Sequence, residues 1–183
     1  MPVTSPRPDV SVISSVHDIS DARLHREVAA LVRQGLRVEV IARGLAQHAP
    51  AGVVSAVALS GSGLARRALR ALALPWRATG RTLITFDPDL VPMAWLRTQL
   101  KPKARLAVDV HEDYAMLLRD RAWARGLAGR CAALVVRIGM ALAARADVTI
   151  VADDHVPPLR ARRRLVLRNL PDPAMLPPVT APA

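Results

Sequence analysis

Short apolar segments alternate with longer segments of helical periodicity along most of this chain, and this alternation constrains its fold more than any other feature. The run Asp9–Ser15 has the β-branched composition of a buried strand. Residues 21–34 follow with apolar side chains at helical spacing, and Ser20 is placed to cap that helix. Residues 36–42 form a second apolar run. A strand, a helix and a second strand in this order are typical of a right-handed parallel crossover.

The alternation continues to residue 169. The further apolar runs that we predict as strands are Gly52–Leu59, Thr82–Phe86, Arg105–Val110, Asp147–Ala152 and Arg163–Asn169. The segments that we predict as helices are Leu64–Leu74, Leu90–Leu100 and Arg121–Arg145. Aromatic residues make up only 3% of the chain, so aliphatic residues must form the core, which favours parallel strands covered on both faces. We therefore predict an α/β fold, a Rossmann-like, doubly wound, mostly parallel sheet of about six to seven strands flanked by helices.

The two ends of the chain are rich in proline, unlike the alternating region between them. Residues 1–8 contain three prolines and are expected to form a flexible leader, and residues 9–169 are expected to form one domain. Residues 170–183 contain five prolines, a composition typical of a linker. We expect this linker to lead to a C-terminal domain that lies outside the sequence.

The formal net charge is +11, carried by 24 arginines and only two lysines against 15 acidic residues. Such a charge is compatible with binding to nucleic acid, with contact to an anionic membrane surface, or with a coding bias toward arginine and alanine. Nucleic acid is the least favoured partner, because the sequence has no helix-turn-helix, aromatic RNA-binding strand or zinc-finger spacing. The coding bias and the membrane surface both stay open.

Two predicted helical segments mix arginine with apolar residues. Residues 65–77 and 121–146 carry Arg beside Leu and Trp, so each can rest on anionic lipid headgroups or pack an apolar stripe against the sheet. For residues 121–146 we favour packing against the sheet. For residues 65–77 both interpretations stay open.

The cysteine content and the N-terminus indicate the cellular compartment. The single cysteine, Cys131, excludes an internal disulfide and a cysteine-based zinc site, and its apolar neighbours predict a buried, inert thiol. The first residues lack the apolar region of a signal peptide. We therefore predict a cytoplasmic protein, with the inner face of the membrane as an alternative location.

Polar side chains follow several predicted strands at the point where each strand ends. In a doubly wound sheet the ligand binds in the crevice beyond the carboxyl ends of the strands, so these residues are the candidates for a site. They are Ser14, Ser15, His17 and Asp18 after the first strand, Asp87 and Asp89 after the fourth, His111, Glu112 and Asp113 after the fifth, and Asp153, Asp154 and His155 after the sixth. Their occurrence along one predicted edge is the strongest indication of function that the residues provide.

The first loop and the helix after it limit the kinds of ligand that we expect the site to bind. The loop lacks the G-x-G-x-x-G pattern, which argues against a nicotinamide or flavin dinucleotide. On the helix, Arg23 and Glu27 are four residues apart, which predicts either a surface salt bridge or a contact with an anion or a sugar.

The segment after the fifth strand carries three ionisable residues in a row. His111 can donate or accept a proton near neutral pH, and Glu112 or Asp113 can act as a base, with ordinary capping and loop roles as the alternative. Adjacent residues rarely converge on one metal ion, so we expect no metal site here.

Four motifs occur in order along residues 9–173. They are HDISDARLHRE followed by QGLRVEVIA (residues 17–27 and 34–42), FDPDLVPMA (86–94), DVHEDY (109–114), and ADVTIVADD with RRLVLRNLPD (146–154 and 163–172). This ordered set resembles the N-terminal domain of GT-B glycosyltransferases of the family-4 type, whose first helix carries a D-x-R-x-x-x-E pattern. In the second motif, Phe86 and Asp87 stand where that family often has His-Asp.

The resemblance implies two facing Rossmann domains, of which the N-terminal one binds mainly the acceptor and the C-terminal one binds a nucleotide-activated sugar. It implies that His111 is the catalytic residue near the transferred sugar, and that His17 and Asp18 lie near the interdomain cleft. The other candidate substrate-binding residues are Arg23, Asp87, Asp89, Glu112 and Asp113.

The resemblance also implies the partners. The donor is a nucleotide sugar, the acceptor is a sugar or a glycolipid, and neither a cofactor nor a metal ion is expected. The family's acidic donor-binding motif has no counterpart in the sequence, so we expect little transferase activity without a separate or missing C-terminal domain. The alternative is a non-catalytic module that binds carbohydrate, glycolipid or an anionic membrane surface.

Overall fold

The structure, a computed structural model, describes residues 7–61, 63–121, 124 and 126–168. Its strands are β1 (Val10–Asp18), β2 (Val38–Arg43), β3 (Ser55–Leu59), β4 (Thr82–Thr85), β5 (Arg105–Val110), β6 (Val148–Val151) and β7 (Arg164–Val166). Its α-helices are α1 (Ala22–Arg33), α2 (Leu64–Arg77), α3 (Val91–Leu100), α4 (Tyr114–Arg119) and α5 (Gly126–Ala143). The expected linker and all but the end of the expected leader lie outside the described residues.

These strands form one parallel sheet in the order β3-β2-β1-β4-β5-β6-β7. The predicted doubly wound, parallel α/β fold is therefore confirmed. From β1 the chain moves outward to β3, returns to place β4 on the other side of β1, and then moves outward in the opposite direction. Because the connections diverge at β1 and β4, a crevice opens between the carboxyl ends of these two strands.

Aliphatic side chains fill a core on each face of the sheet. Val12 and Ile13 are adjacent in β1 and fully buried, but they belong to opposite cores because successive side chains of a strand point to opposite faces. The core that contains Val12 includes Leu24 and Val28 of α1. The core that contains Ile13 includes side chains of α2, α3 and α5, and thereby places these three helices together on one face.

The beginning of α1 and the end of α2 differ from the prediction. Asp21, and not Ser20, caps α1, since its carboxylate accepts hydrogen bonds from two backbone amides of the first turn. Ser20 instead donates its hydroxyl and its amide to Asp18. Helix α2 does not stop before Pro75 but runs to Arg77, where the buried guanidinium of Arg97 donates to the carbonyl of Pro75.

The region after β5 contains a helix that the periodicity did not reveal. Asp113 caps α4, and its carboxylate accepts from the amides of Ala115 and Met116. The helix predicted over residues 121–145 is observed as α5, and residues 122, 123 and 125 lie outside the described part. The other predicted helices and strands are observed with ends shifted by a few residues.

Candidate functional site

A cleft of about 1310 Å³ lies at the carboxyl ends of β1, β4 and β5. Side chains from α1, α2, α4 and α5 form its walls, and residues at or just after the ends of these three strands form its polar end. This is the position that the topology predicts for a ligand site. Six of the eight sequence-predicted site residues line it, namely His17, Arg23, Asp87, Asp89, His111 and Glu112.

The buried carboxylate of Asp87 organises the end of β1. The pairing of β1 with β2 is irregular between Ile13 and Asp18, which leaves backbone amides there outside the ladder. Oδ2 of Asp87 accepts hydrogen bonds from the Ser14 hydroxyl (2.7 Å) and the Ser15 amide (2.6 Å). Burial raises the pKa of Asp87, and the neighbouring Asp89 raises it further, whereas these hydrogen bonds act in the opposite direction.

The imidazole of His17 lies between two carboxylates. Its Nε2 is 3.6 Å from Oδ1 of Asp87, and its Nδ1 is 3.4 Å from Oδ2 of Asp21. The backbone amide of His17 donates to the Ser14 hydroxyl, so the main chain of the loop is held as well. The side chain is 28% exposed and lines the cleft. A ligand in the cleft therefore meets an imidazole whose orientation is set from both sides.

His111 stands next to His17, with ring centroids 5.2 Å apart and ring planes inclined by 66°. Burial lowers the pKa of His111 to about 4, and the positive charge of Arg23 contributes in the same direction. Its buried Nδ1 has no hydrogen-bond partner among the described residues. His111 is therefore neutral at physiological pH and can donate or accept a hydrogen bond without carrying charge.

Arg23 connects α1 to the end of β5. Its Nε and one terminal nitrogen donate to the two oxygens of Asp109 at 2.7 and 2.5 Å, and the Asp109 side chain is almost fully buried. One turn along α1, burial raises the pKa of Glu27 to about 8, and the nearby Asp109 carboxylate acts in the same direction. Arg23 therefore pairs with Asp109 rather than with Glu27, whereas the predicted contact of this helix with an anion or a sugar stays a prediction.

Asp89 is fixed on the opposite wall by Arg67 of α2. The guanidinium donates to both carboxylate oxygens at 3.0 and 2.7 Å, and the Ser15 hydroxyl donates to one of them at 2.9 Å. Both carboxylate oxygens of Asp89 therefore accept hydrogen bonds from protein side chains. The loop after β4 consequently ties α2 to the end of β1.

Tyr114 forms part of the wall beside His111. Its hydroxyl donates to the carbonyl of Phe86 at 2.6 Å, and its ring centroid lies 6.1 Å from that of His111. Burial and the surrounding carboxylates raise the pKa of the Tyr114 hydroxyl, so it stays protonated and acts as a hydrogen-bond donor.

Two sequence-predicted site residues do not line the cleft. Asp18 accepts from Ser20 and lies against Gly44, where an added Cβ would be 2.8 Å from either Asp18 oxygen. Asp113 caps α4. The other cluster of interest, residues 153–155 after β6, also lies outside the cleft lining. Substrate binding by Asp18 and Asp113 stays a prediction, and their contacts in the structure are local ones.

Sequence reasoning missed several residues that line or support the cleft. They are Asp21, Arg67, Asp109 and Tyr114. The D-x-R-x-x-x-E and DVHEDY patterns contain three of these, but nothing in the patterns indicates that Arg23 reaches Asp109. The prediction that Cys131 is buried was wrong: α5 turns this thiol toward the cleft, and it is exposed.

The remainder of the cleft is apolar. Helix α2 presents Leu64, Ala68, Ala71 and Leu72, and α5 presents Ala128, Cys131, Ala132, Val135 and Val136. Of the described helices, α5 alone is long and apolar enough to span a membrane by length and composition, and only 22% of that segment is buried. The predicted packing of its apolar stripe against the sheet is thus correct only for a minority of its residues, which include Val136 and Ala143.

The described residues include no group of three or more His, Cys, Asp or Glu side chains arranged to hold a metal ion. The expectation that function requires no metal or cofactor stays a prediction. The polar end contains a pair of imidazoles, several fixed carboxylates and a guanidinium. These groups are suited to hydrogen bonding with hydroxyl groups and to proton transfer.

Comparisons of the chain with protein-family models, with curated proteins and with solved structures found no match. No relative therefore identifies it as a glycosyltransferase. The resemblance rests on the four motifs alone, and the function that follows is a proposal.

Proposed function

We propose that this domain is the acceptor-side half of a sugar transferase, which moves a sugar from a nucleotide-sugar donor to a hydroxyl group of an acceptor. The observation that carries the proposal is the position of His17, an accessible imidazole oriented by Asp21 and Asp87 at the polar end of the cleft. The four ordered motifs support the same activity.

In the proposed reaction, the acceptor hydroxyl lies at the polar end and gives its proton to Nε2 of His17. Nδ1 is hydrogen-bonded to Asp21, whereas Nε2 lies 3.6 Å from Asp87 and is in no hydrogen bond among the described residues. The hydroxyl oxygen forms a bond to the anomeric carbon of the donor, and the bond from that carbon to the leaving phosphate breaks with its electron pair. A nucleoside diphosphate is released. The carboxylates of Asp21 and Asp87 stabilise the imidazolium that proton uptake creates.

Three groups have supporting roles in this proposal. His111, neutral because its pKa is lowered to about 4, forms a hydrogen bond with a sugar hydroxyl. Arg23 is held by Asp109 and orients the α1 side of the cleft. Asp87 is buried and saturated with protein donors on one oxygen, so it acts as a positioning residue for His17.

The proposed reaction requires a second domain that covers the cleft. Sugar transfer depends on holding donor and acceptor in contact and on excluding water from the reacting centre. The cleft is open, since Leu64 and Leu72 on its α2 wall are 62% and 56% exposed. A donor-binding domain, on the same chain or another, would cover it.

The test is to combine the chain with separately produced nucleotide-sugar-binding domains and to measure nucleoside diphosphate release with a mixture of hydroxyl acceptors. We expect turnover with the matching domain and at least about a hundredfold loss in His17→Gln, the size typical of a lost general base. His48→Gln alters an exposed histidine away from the cleft and is the matched control. Absence of turnover with every donor domain, or equal activity of the two variants, contradicts the proposal.

The second candidate is a non-catalytic module that binds glycolipid or an anionic membrane surface. The exposed apolar side chains of α2 and α5 and the net charge of +11 favour it. Flotation with anionic vesicles in the absence of any nucleotide sugar tests this candidate, which predicts vesicle binding together with no nucleoside diphosphate release in the two-domain assay.

A further inference from the structure

The apolar part of the cleft is a groove between two helices that lie on either side of a third. Helices α2 and α5 each pack against α3, and Pro92 and Met93 of α3 line the cleft as well. The lining positions of α2 and of α5 repeat at intervals of three and four residues, so each helix turns one continuous face toward the groove. Many of them are alanines, whose short side chains leave the groove wide.

The groove continues onto the exposed surface of α5. Leu127, Leu134 and Ile138 follow one another at intervals of seven and four residues and are 77%, 48% and 42% exposed. Arg130 and Arg137, both exposed, lie on the same helix seven residues apart. An apolar stripe with arginines along one side is suited to contact with anionic lipid headgroups.

The polar and apolar parts belong to one cavity. The polar end holds His17 and His111, while the apolar walls extend to Val135 on α5. The volume of about 1310 Å³ exceeds the range of roughly 300–1,000 Å³ that is usual for small-molecule sites. A sugar acceptor by itself would occupy the polar end and leave the apolar walls in contact with water.

We propose that the acceptor is a single-chain amphiphile, with a hydroxyl-bearing head at His17 and His111 and a hydrocarbon chain along the groove between α2 and α5. This inference rests on the proposed function, and it specifies the class of acceptor. The apolar walls indicate the hydrocarbon chain of the acceptor, and the pair of imidazoles indicates its hydroxyl-bearing head. The arginines beside the exposed stripe of α5 indicate that the acceptor is delivered from an anionic lipid surface.

The first measurement is binding of alkyl maltosides by calorimetry, below the concentration at which they form micelles, without any nucleotide sugar. Each methylene buried in the groove raises the affinity by up to about fourfold, so we expect dodecyl maltoside to bind roughly tenfold or more tightly than octyl maltoside. Maltose, the head without a chain, should bind weakly or not at all.

The location of the chain is tested in two ways. Cys131 is the single cysteine and lines the groove, so dodecyl maltoside should slow its reaction with a maleimide, and maltose should not. Ala132→Trp places a large side chain in the groove, whereas Ala133→Trp places it at the neighbouring exposed position outside the lining. We expect Ala132→Trp to weaken dodecyl maltoside binding at least about tenfold, which corresponds to the loss of two or more buried methylenes, and Ala133→Trp to leave it unchanged.

Should Ala132→Trp fail to fold, Val135→Gln at a partly exposed lining position replaces it. The inference would be overturned if affinity did not depend on the length of the alkyl chain, or if the two Trp variants had equal effects. It would also be overturned if the enzyme transferred sugar to water-soluble acceptors and bound no amphiphile. The last result would leave the proposed function intact. Groove-dependent binding without turnover in the two-domain assay would contradict the proposed function alone and support the ligand class.

Discussion

Arg23 and Asp109, separated by 86 positions in the chain, form an ion pair with two hydrogen bonds at the base of the cleft. The guanidinium is held in one orientation by both carboxylate oxygens, and Asp109 is 2% exposed. This pair joins α1, which follows the strand that contains His17, to β5, which directly precedes His111.

Breaking this pair should destabilise the domain strongly. Arg23→Gln leaves the buried Asp109 carboxylate without its cation, and we expect the free energy of unfolding to fall by about 3 kcal/mol. Replacing both partners, in Arg23→Met with Asp109→Leu, should recover much of this loss because no buried charge remains. Urea denaturation followed by circular dichroism measures both. Arg37→Gln breaks the exposed pair with Asp9, and a comparably large effect there would contradict the assignment.

Glu27 should make the stability fall as the pH rises from about 5 to about 8. Its pKa is raised to about 8 in the folded state, whereas an unfolded glutamate ionises near pH 4.5. Between these values the folded state binds the extra proton, so stability decreases with increasing pH, by roughly 2–4 kcal/mol for this group. Thermal unfolding from pH 5 to 8 should show a much smaller decrease in Glu27→Gln. A decrease of the same size in the variant would show that another group is responsible.

His111 should remain neutral well below pH 6. Its pKa is lowered to about 4 by burial, so ¹⁵N NMR of the imidazole should show a neutral ring at pH 6 and a titration midpoint near 4. In the unfolded chain histidine ionises near pH 6.5, so this group contributes stability above that pH and loses it as the pH falls toward 4. His111→Gln should remove that acid-side dependence. A midpoint near 6.5 would show that the ring is solvated and charged in the native state.

Gly139 allows α5 to pack against the loop that carries Asp87 and Asp89. A Cβ at this position would lie 2.4 Å from the carbonyl oxygen of Pro88. Gly139→Ala should therefore destabilise by about 1–3 kcal/mol, although a glycine-to-alanine change inside a helix ordinarily stabilises by up to about 1 kcal/mol. The reverse change, Ala141→Gly at an exposed position of α5, is the control for helix propensity and should cost about 1 kcal/mol. Stabilisation by Gly139→Ala would contradict the close contact.

The amino-acid sequence by itself determined the order of strands and helices and the edge at which polar residues collect. Apolar runs such as residues 9–15 and 36–42 are local signals, and parallel strands place their carboxyl ends together whatever their partners. The meeting of His17, Asp87 and His111 in one cleft follows from this rule. The cap of α1 and the extent of α2 involve contacts of individual side chains, namely the two hydrogen bonds that Asp21 accepts and those that Arg97 donates near the end of α2, and the periodicity did not predict them.

Only the tertiary structure decided which side chains pair and which face of a helix stays open. The contact of Arg23 with Asp109, the carboxylates on either side of His17 and the exposure of Cys131 all depend on how each helix is rotated and positioned on the sheet. A helical repeat shows that an apolar face exists, but not whether protein covers it. On α5 the apolar side chains extend around more of the helix than the sheet and α3 can cover, and the remainder forms the wall of the groove.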